Sequence, residues 1–194
     1  MRRKRQLPVP EIPQLVSELK RERRKNRFAV LMRSTLNTLM VVAAVAVLVA
    51  TLLTPVLQIY GNSMTPTLSE GQFVVSVKGS DFKQGDLVSF YIGNKLLVKR
   101  VIAVPGDWVD IKEDGTVLIN GVEIDEPYVR EKAFGQCDLE LPYQVPESRY
   151  FMMGDHRESS VDSRSSVIGC VAKEQIVGKI VLCVWPLSDF GIIE

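Results

Sequence analysis

The sequence predicts a mainly β, antiparallel protein held to a membrane by one N-terminal transmembrane helix. Three observations carry this reading. Residues 34–69 contain no charged side chain, and a strongly basic segment precedes them. After Tyr60, short runs rich in β-branched and aromatic residues alternate with turn dipeptides. At 194 residues the chain has room for one anchored domain rather than two large ones.

The near-neutral overall charge of +1 hides an asymmetry. Residues 1–33 hold eleven Lys/Arg against three acidic residues, a net +8, so the rest of the chain carries −7. A basic arm ahead of an apolar stretch is the signal for a cytoplasmic N-terminus. A nucleic-acid-binding arm is the rival reading, but such arms do not precede bilayer-length segments, so no nucleic-acid partner is expected. Within the arm, Pro8, Pro10 and Pro13 read as an extended lead. From Ile12 to Arg27, Ile12, Leu15, Val16 and Leu19 recur at helical spacing. That stretch reads either as an amphipathic helix on anionic lipid or as a charged juxtamembrane stub.

Leu36 to Leu57 is interrupted by only four polar residues, Asn37, Thr38, Thr51 and Thr54. At about 1.5 Å per residue, about 20 residues cross a hydrocarbon core. We therefore expect a transmembrane signal-anchor helix over residues 34–57, with residues 1–33 as a cytoplasmic arm. A cleaved signal peptide is the alternative, and Ala44-Val45-Ala46 resembles a small-residue cleavage site. Its apolar region would be shorter, however, and its basic lead far shorter. The expected topology is single-pass in the cell membrane, with residues 58–194 forming an extracytoplasmic β-rich domain.

Strands are expected at Phe73–Val77, Leu87–Ile92 and Leu96–Val104, the last broken only by Lys99 and Arg100. Pro105-Gly106-Asp107, Asp114-Gly115 and Asn120-Gly121 mark turns, and Asn-Gly between Thr116–Ile119 and Val122–Ile124 predicts a two-residue hairpin. Residues 112–148 read as a hairpin-rich insertion whose later part, 127–148, is a polar surface excursion. Strands resume at Arg149–Met153, Val167–Ala172 and Ile176–Trp185. Cys137, Cys170 and Cys183 are too few and too dispersed for a disulfide scaffold or a zinc site. One pair could bridge, or all three could be free thiols; no metal or other cofactor is expected.

Ser63 and Lys99 carry the chemistry. Ser63 lies in Gly-Asn-Ser-Met-Thr-Pro-Thr-Leu, residues 61–68. Gly61 gives backbone freedom there, and Pro66 fixes the turn that presents the hydroxyl. A serine needs a base to become a nucleophile at neutral pH. Lys99, flanked by Leu96, Leu97 and Val98, would lose hydration if it faced inward, and desolvation favours the neutral amine. The competing reading is an edge-strand charge that blocks aggregation. Arg100 is expected on the opposite face of the same strand. A third motif, residues 154–164, crowds acids, arginines and serines into one loop, either a solvated surface or a support for the lysine. The pairing of a serine nucleophile with a lysine base points to a membrane-anchored serine protease.

In order, behind a single anchor, these motifs resemble the bacterial type I signal peptidases in their single-span Gram-positive form. The likeness covers about residues 34–190. It takes in Gly85-Asp86-Leu87-Val88, Val98 through Asp107, Ile119-Asn120-Gly121, Glu126-Pro127-Tyr128, the 154–164 loop and Trp185-Pro186. The resemblance implies a barrel-like antiparallel fold and removal of signal peptides from secretory preproteins at Ala-x-Ala sites. It implies Ser63 as nucleophile, Lys99 as general base, and Ser160 as the hydroxyl that bonds and orients the lysine. Gly154, Asp155, Arg157, Asp162 and Arg164 would be structural members of the loop, with Arg100 as ion-pair partner of Asp155. The oxyanion would be held by the Ser63 N–H and by the position of Gly61, which offers no side-chain hydroxyl. Ile59, Tyr60, Met64, Leu68, Leu97 and Val98 would line a small P1 pocket, and Leu57, Ile59 and Val98 would contribute to P3. The implied partners are preproteins and membrane lipid, for a monomer near the secretion translocon.

His156 and Glu158 depart from the family pattern. His156 is the only histidine and admits a Ser–His–Asp reading with Asp155, but the intact lysine position argues for a solvent-side loop residue. Competing classes are a non-catalytic relative, a self-cleaving repressor-type protease and a basic-arm membrane adaptor. The first should lack Ser63 or Lys99, the second would need a DNA-binding domain and no membrane span, and the third makes both residues dispensable.

Overall fold

The computed structural model describes residues 12–79 and 81–193. They fall into two compact units divided between Thr51 and Leu52. The first is built on helix α1, Ile12–Leu53, 42 residues long. At about 1.5 Å per residue its axis runs roughly 63 Å, about twice a hydrocarbon core. The two helical stretches expected separately are thus one element. Pro13 sits in its first turn, where the missing N–H costs nothing. Pro8, Pro10 and the arginines before them lie outside the described residues. From Ile12 to Val49 the side chains are exposed, and the segment is long and apolar enough to cross a membrane.

The helix stops at Leu53, short of the expected residue 57. Pro55 cannot donate into a helix, and it disfavours helical geometry at Thr54. The apolar residues beyond it form strand β1, Val56–Gln58.

The second unit is antiparallel β. Strands β2 (Phe73–Val77), β3 (Leu87–Ile92), β4 (Lys95–Ala103), β9 (Arg149–Met153), β10 (Val171–Ala172), β11 (Ile176–Trp185) and β12 (Gly191–Ile192) join β1 in one sheet. Its order is β1-β2-β11-β3-β4-β9-β10, with β12 paired to β11. A second sheet, β7-β6-β5-β8, is built from β5 (Trp108–Ile111), β6 (Val117–Ile119), β7 (Val122–Glu123) and β8 (Tyr143–Gln144). Both sheets keep free ends, so the expected barrel-like closure is corrected to two open sheets. The second sheet begins at Trp108, four residues before the expected insertion. Its hairpin turns at Asn120 (φ 54°) and Gly121 (φ 81°), the two left-handed residues that a tight Asn-Gly turn requires.

Pleating of β4 splits its apolar residues between two cores. Ile102 packs with Val109, Ile111, Val117, Phe151 and Met153, which joins the two sheets. Val101 packs instead with Val88, Phe90, Tyr150 and Met152. A third cluster, Ile59, Met64, Leu68, Val74, Leu87, Ile180 and Cys183, lies beneath the Ser63 turn. The three cysteines are free thiols, and burial pushes that of Cys170 up to about 11.

Candidate active site

Strand β4 delivers Lys99, and the turn after β1 delivers Ser63. Gly61 at φ 79° lets the chain reverse, and Leu68 N–H closes the turn on the Met64 carbonyl at 2.8 Å. Met64 and Leu68 are buried, 2% and 1% exposed, which pins both sides of the turn to the core. The result places Lys99 Nζ 2.6 Å from Ser63 Oγ. Lys99 is only 4% exposed, so the edge-charge reading of that residue fails.

Burial lowers the Lys99 pKa from 10.5 to about 8. Asp162 and Asp155 pull it back upward, and Arg164 pushes it down. The amine therefore becomes neutral, and able to accept a proton, close to physiological pH. Ser63 N–H donates to no protein acceptor among the described residues.

The 154–164 loop is an anchored support rather than a solvated surface. Arg100 grips Asp155 with two bonds, Nε to Oδ1 at 3.0 Å and Nη2 to Oδ2 at 2.8 Å. Asp155 also accepts from Thr67 Oγ1, which ties the Ser63 turn to the loop. His156 N–H donates to the Ser63 carbonyl at 3.1 Å. Asp162 accepts from Gly154 N–H and from Arg164. Arg164 in turn reaches the carbonyls of Phe134, Arg157 and Ser160.

Arg157 is buried against Glu126, with Nη2–Oε1 at 2.5 Å. The Tyr128 hydroxyl donates to Glu126, and Arg100 lies 3.9 Å over the Tyr128 ring. Thr67, Glu126 and Tyr128 carry no local sequence signal of these roles. Glu126 and Tyr128 belong to the Glu126-Pro127-Tyr128 motif, and their partners are remote in sequence.

Two expectations need correction. Ser160 Oγ is buried but makes no hydrogen bond, so the expected bond to Lys99 is not formed; the Lys99 bond goes to Ser63. His156 Nδ1 contacts Ser159 Oγ, while Asp155 is committed to Arg100 and Thr67, so no Ser–His–Asp arrangement exists.

Beside Ser63 lies a cavity of about 70 Å³ lined by Gln58, Ile59, Tyr60, Gly61, Met64, Leu96, Leu97, Val98 and Lys99. Of the expected pocket residues, Leu68 is instead in the core below, and Leu57 packs beside it. Gln58 and Leu96 take part unforeseen. Strand β4 pairs with β9 only from Arg100 onward, so Leu96–Lys99 present a free edge toward the cavity.

Gly154 is required by space. A Cβ there would overlap Ser160 Oγ and stand 2.5 Å from the Ser63 carbonyl oxygen. Gly154→Ala is therefore expected to cost about 1–3 kcal/mol, read as a lowered urea midpoint at unchanged slope.

The chain matches the signal peptidase, peptidase S26 family over residues 32–185. It is 34% identical over 162 residues to signal peptidase I of Bacillus amyloliquefaciens, covering 78% of this chain and 86% of that protein. It is 38% identical over 152 residues to signal peptidase IB of Staphylococcus aureus strain COL, covering 68% and 78%. A crystal structure of a signal peptidase I from Enterococcus faecalis aligns with a TM-score of 0.44 at 28% identity, covering 51% of this chain and 96% of that one. By the extent of the family match and of its relatives' identity, the chain belongs to the signal peptidase family of S26 serine endopeptidases.

Proposed function

We propose that this protein is a membrane-bound endopeptidase that removes signal peptides from secretory preproteins after small-x-small sequences. Ser63 is its nucleophile and Lys99 its general base. The single observation that carries the assignment is the 2.6 Å Ser63–Lys99 contact with the lysine buried and its pKa lowered to about 8. Neutral Lys99 takes the hydroxyl proton as Ser63 Oγ attacks the scissile carbonyl. The ammonium then gives that proton to the leaving amine, and a water activated by Lys99 releases the acyl group. The free Ser63 N–H beside Gly61 stabilises the oxyanion. Ser160 Oγ, buried and unpartnered, packs against Gly154 beside the Ser63 backbone. Asp155, Arg157, Asp162, Arg164 and Arg100 hold the loop.

The signal peptide adds as a strand along the free edge of Leu96–Val98, opposite Gln58–Tyr60. Its small side chain enters the 70 Å³ cavity, where further methylenes cost about 1–3 kcal/mol each. Helix α1 is the single membrane anchor, residues 1–33 lie on the cytoplasmic side, and the β unit acts outside on lipid-associated substrate, as a monomer near the translocon.

The test is cleavage of an Ala-x-Ala preprotein in detergent, with the new N-terminus sequenced. Wild type is expected to cut after the second alanine and Ser63→Ala to be inactive. Below about pH 8, kcat/KM should fall about tenfold per pH unit, because only the neutral amine of the free enzyme is a base. A profile flat from pH 6 to 9, or cleavage by Ser63→Ala, overturns the assignment.

A further inference from the structure

The geometry points to a second substrate site, and we propose that a cleft beyond Ser63 receives the first residues of the mature chain and favours basic over acidic side chains there. The inference rests on the peptidase reading above, and it extends that reading to the far side of the scissile bond.

The small cavity is bounded by Gln58 to Gly61, by Met64 and by the β4 edge, and a substrate added along that edge places its signal-peptide side there. A larger cleft of about 490 Å³ opens where the backbone leaves the Ser63 turn, at Thr65 and Pro66. That volume is typical of ligand sites. At about 3.3 Å per extended residue, the second and third residues after the scissile bond reach about 7–10 Å beyond Ser63, and the cleft's near wall, Thr65 and Pro66, begins two residues after the nucleophile.

Its walls are fixed in place. The 155–158 loop is tied to the nucleophile by the His156 N–H bond to the Ser63 carbonyl. The 130–133 segment opposite is held by Arg164, which donates to the carbonyls of Ala133 at 3.3 Å and Phe134 at 2.8 Å.

Charge then gives the cleft a preference. Three of its charged residues are neutralised within the fold: Asp155 by Arg100, Arg157 by Glu126, and Lys132 by Glu123. Glu131, Glu158 and Arg130 also line it, and none of them forms an ion pair among the described residues. Two carboxylates against one guanidinium leave the cleft with a net negative charge. Glu158, a departure from the family pattern, thereby acquires a role. Both carboxylates are exposed, so their substitution should leave the fold intact.

The test uses three preproteins identical except for Lys, Ala or Asp as the second residue after the cleavage site. They are assayed with the full chain in detergent. Wild type is expected to cut the Lys substrate about ten times faster than the Asp substrate in kcat/KM, and the ratio should shrink at about 0.5 M salt. Glu158→Gln should bring the ratio to about three, and the double variant E131K/E158K should invert it. Equal rates on all three substrates overturn the proposal. So does a ratio that the double variant leaves unchanged, or a loss uniform across the three. If wild type cuts none of them, the Ala substrate included, the peptidase reading itself falls and this inference falls with it.

Discussion

Lys99→Met is expected to lower kcat/KM by at least about 10⁴-fold and, at the same time, to stabilise the fold at neutral pH. The loss of activity follows from removing the amine in contact with Ser63 Oγ. The gain in stability follows from the pKa. Burial lowers the Lys99 pKa from 10.5 to about 8, and each unit represents about 1.4 kcal/mol. Holding the ammonium in the folded site below pH 8 therefore costs on the order of 3 kcal/mol. Methionine fills similar space with no charge, and losing the bond to Ser63 offsets about 1 kcal/mol. The balance is roughly 2 kcal/mol, or a melting temperature higher by about 5–8 °C at pH 7.

Between about pH 8 and 10.5 the unfolded lysine keeps its proton while the folded one has lost it. The unfolded state then binds more protons, so wild-type stability rises with pH through this window. The difference between variant and wild type should accordingly shrink by pH 10. Thermal unfolding followed by circular dichroism at pH 7 and pH 10 measures both values. A variant less stable than wild type at pH 7, or a gap indifferent to pH, would contradict a desolvated lysine.

That destabilising lysine was also the most readable feature of the chain. A charge inside Leu96–Ile102 conflicts with the strand pattern around it, and such local conflicts mark functional sites. Ser63 was legible for a related reason, since Gly61 and Pro66 specify a turn within a few residues. Strands β2, β3, β9 and β11 have the bounds that branched and aromatic runs predict. Short or interrupted segments were harder. Strand β5 is four residues directly after a turn, too short for periodicity to register.

Val167 and Ile168 looked like strand, but Ser165 accepts from the N–H groups of Ile168 and Gly169 and folds them into a turn; only Val171 and Ala172 pair. The apolar run through Leu57 concealed the break that Pro55 imposes. Least legible was the support of the loop. Arg157 and Glu126 stand 31 residues apart, and no local pattern reveals that partnership.

Glu126→Gln tests what that hidden pair contributes. It leaves the Arg157 guanidinium fully buried with no opposing charge, a change expected to cost about 3–5 kcal/mol. Against a total stability of roughly 5–15 kcal/mol, this is enough to unfold a substantial fraction near 37 °C. The double variant Glu126→Leu/Arg157→Met removes both charges and substitutes apolar packing. It should recover most of the loss in urea denaturation, because a buried pair and a hydrophobic replacement are often close in free energy.

Activity should not recover with it. Arg157 Nε donates to the Gly154 carbonyl at 3.0 Å, and Gly154 abuts both Ser160 and the Ser63 backbone. Losing that bond frees the loop beside the nucleophile, and a displacement of about 1 Å there lowers rate by about 10²-fold. A double variant that is stable but about a hundredfold slower would assign the pair to positioning Ser63 and Lys99. A double variant that regains both stability and rate would reduce it to an ordinary packing contact.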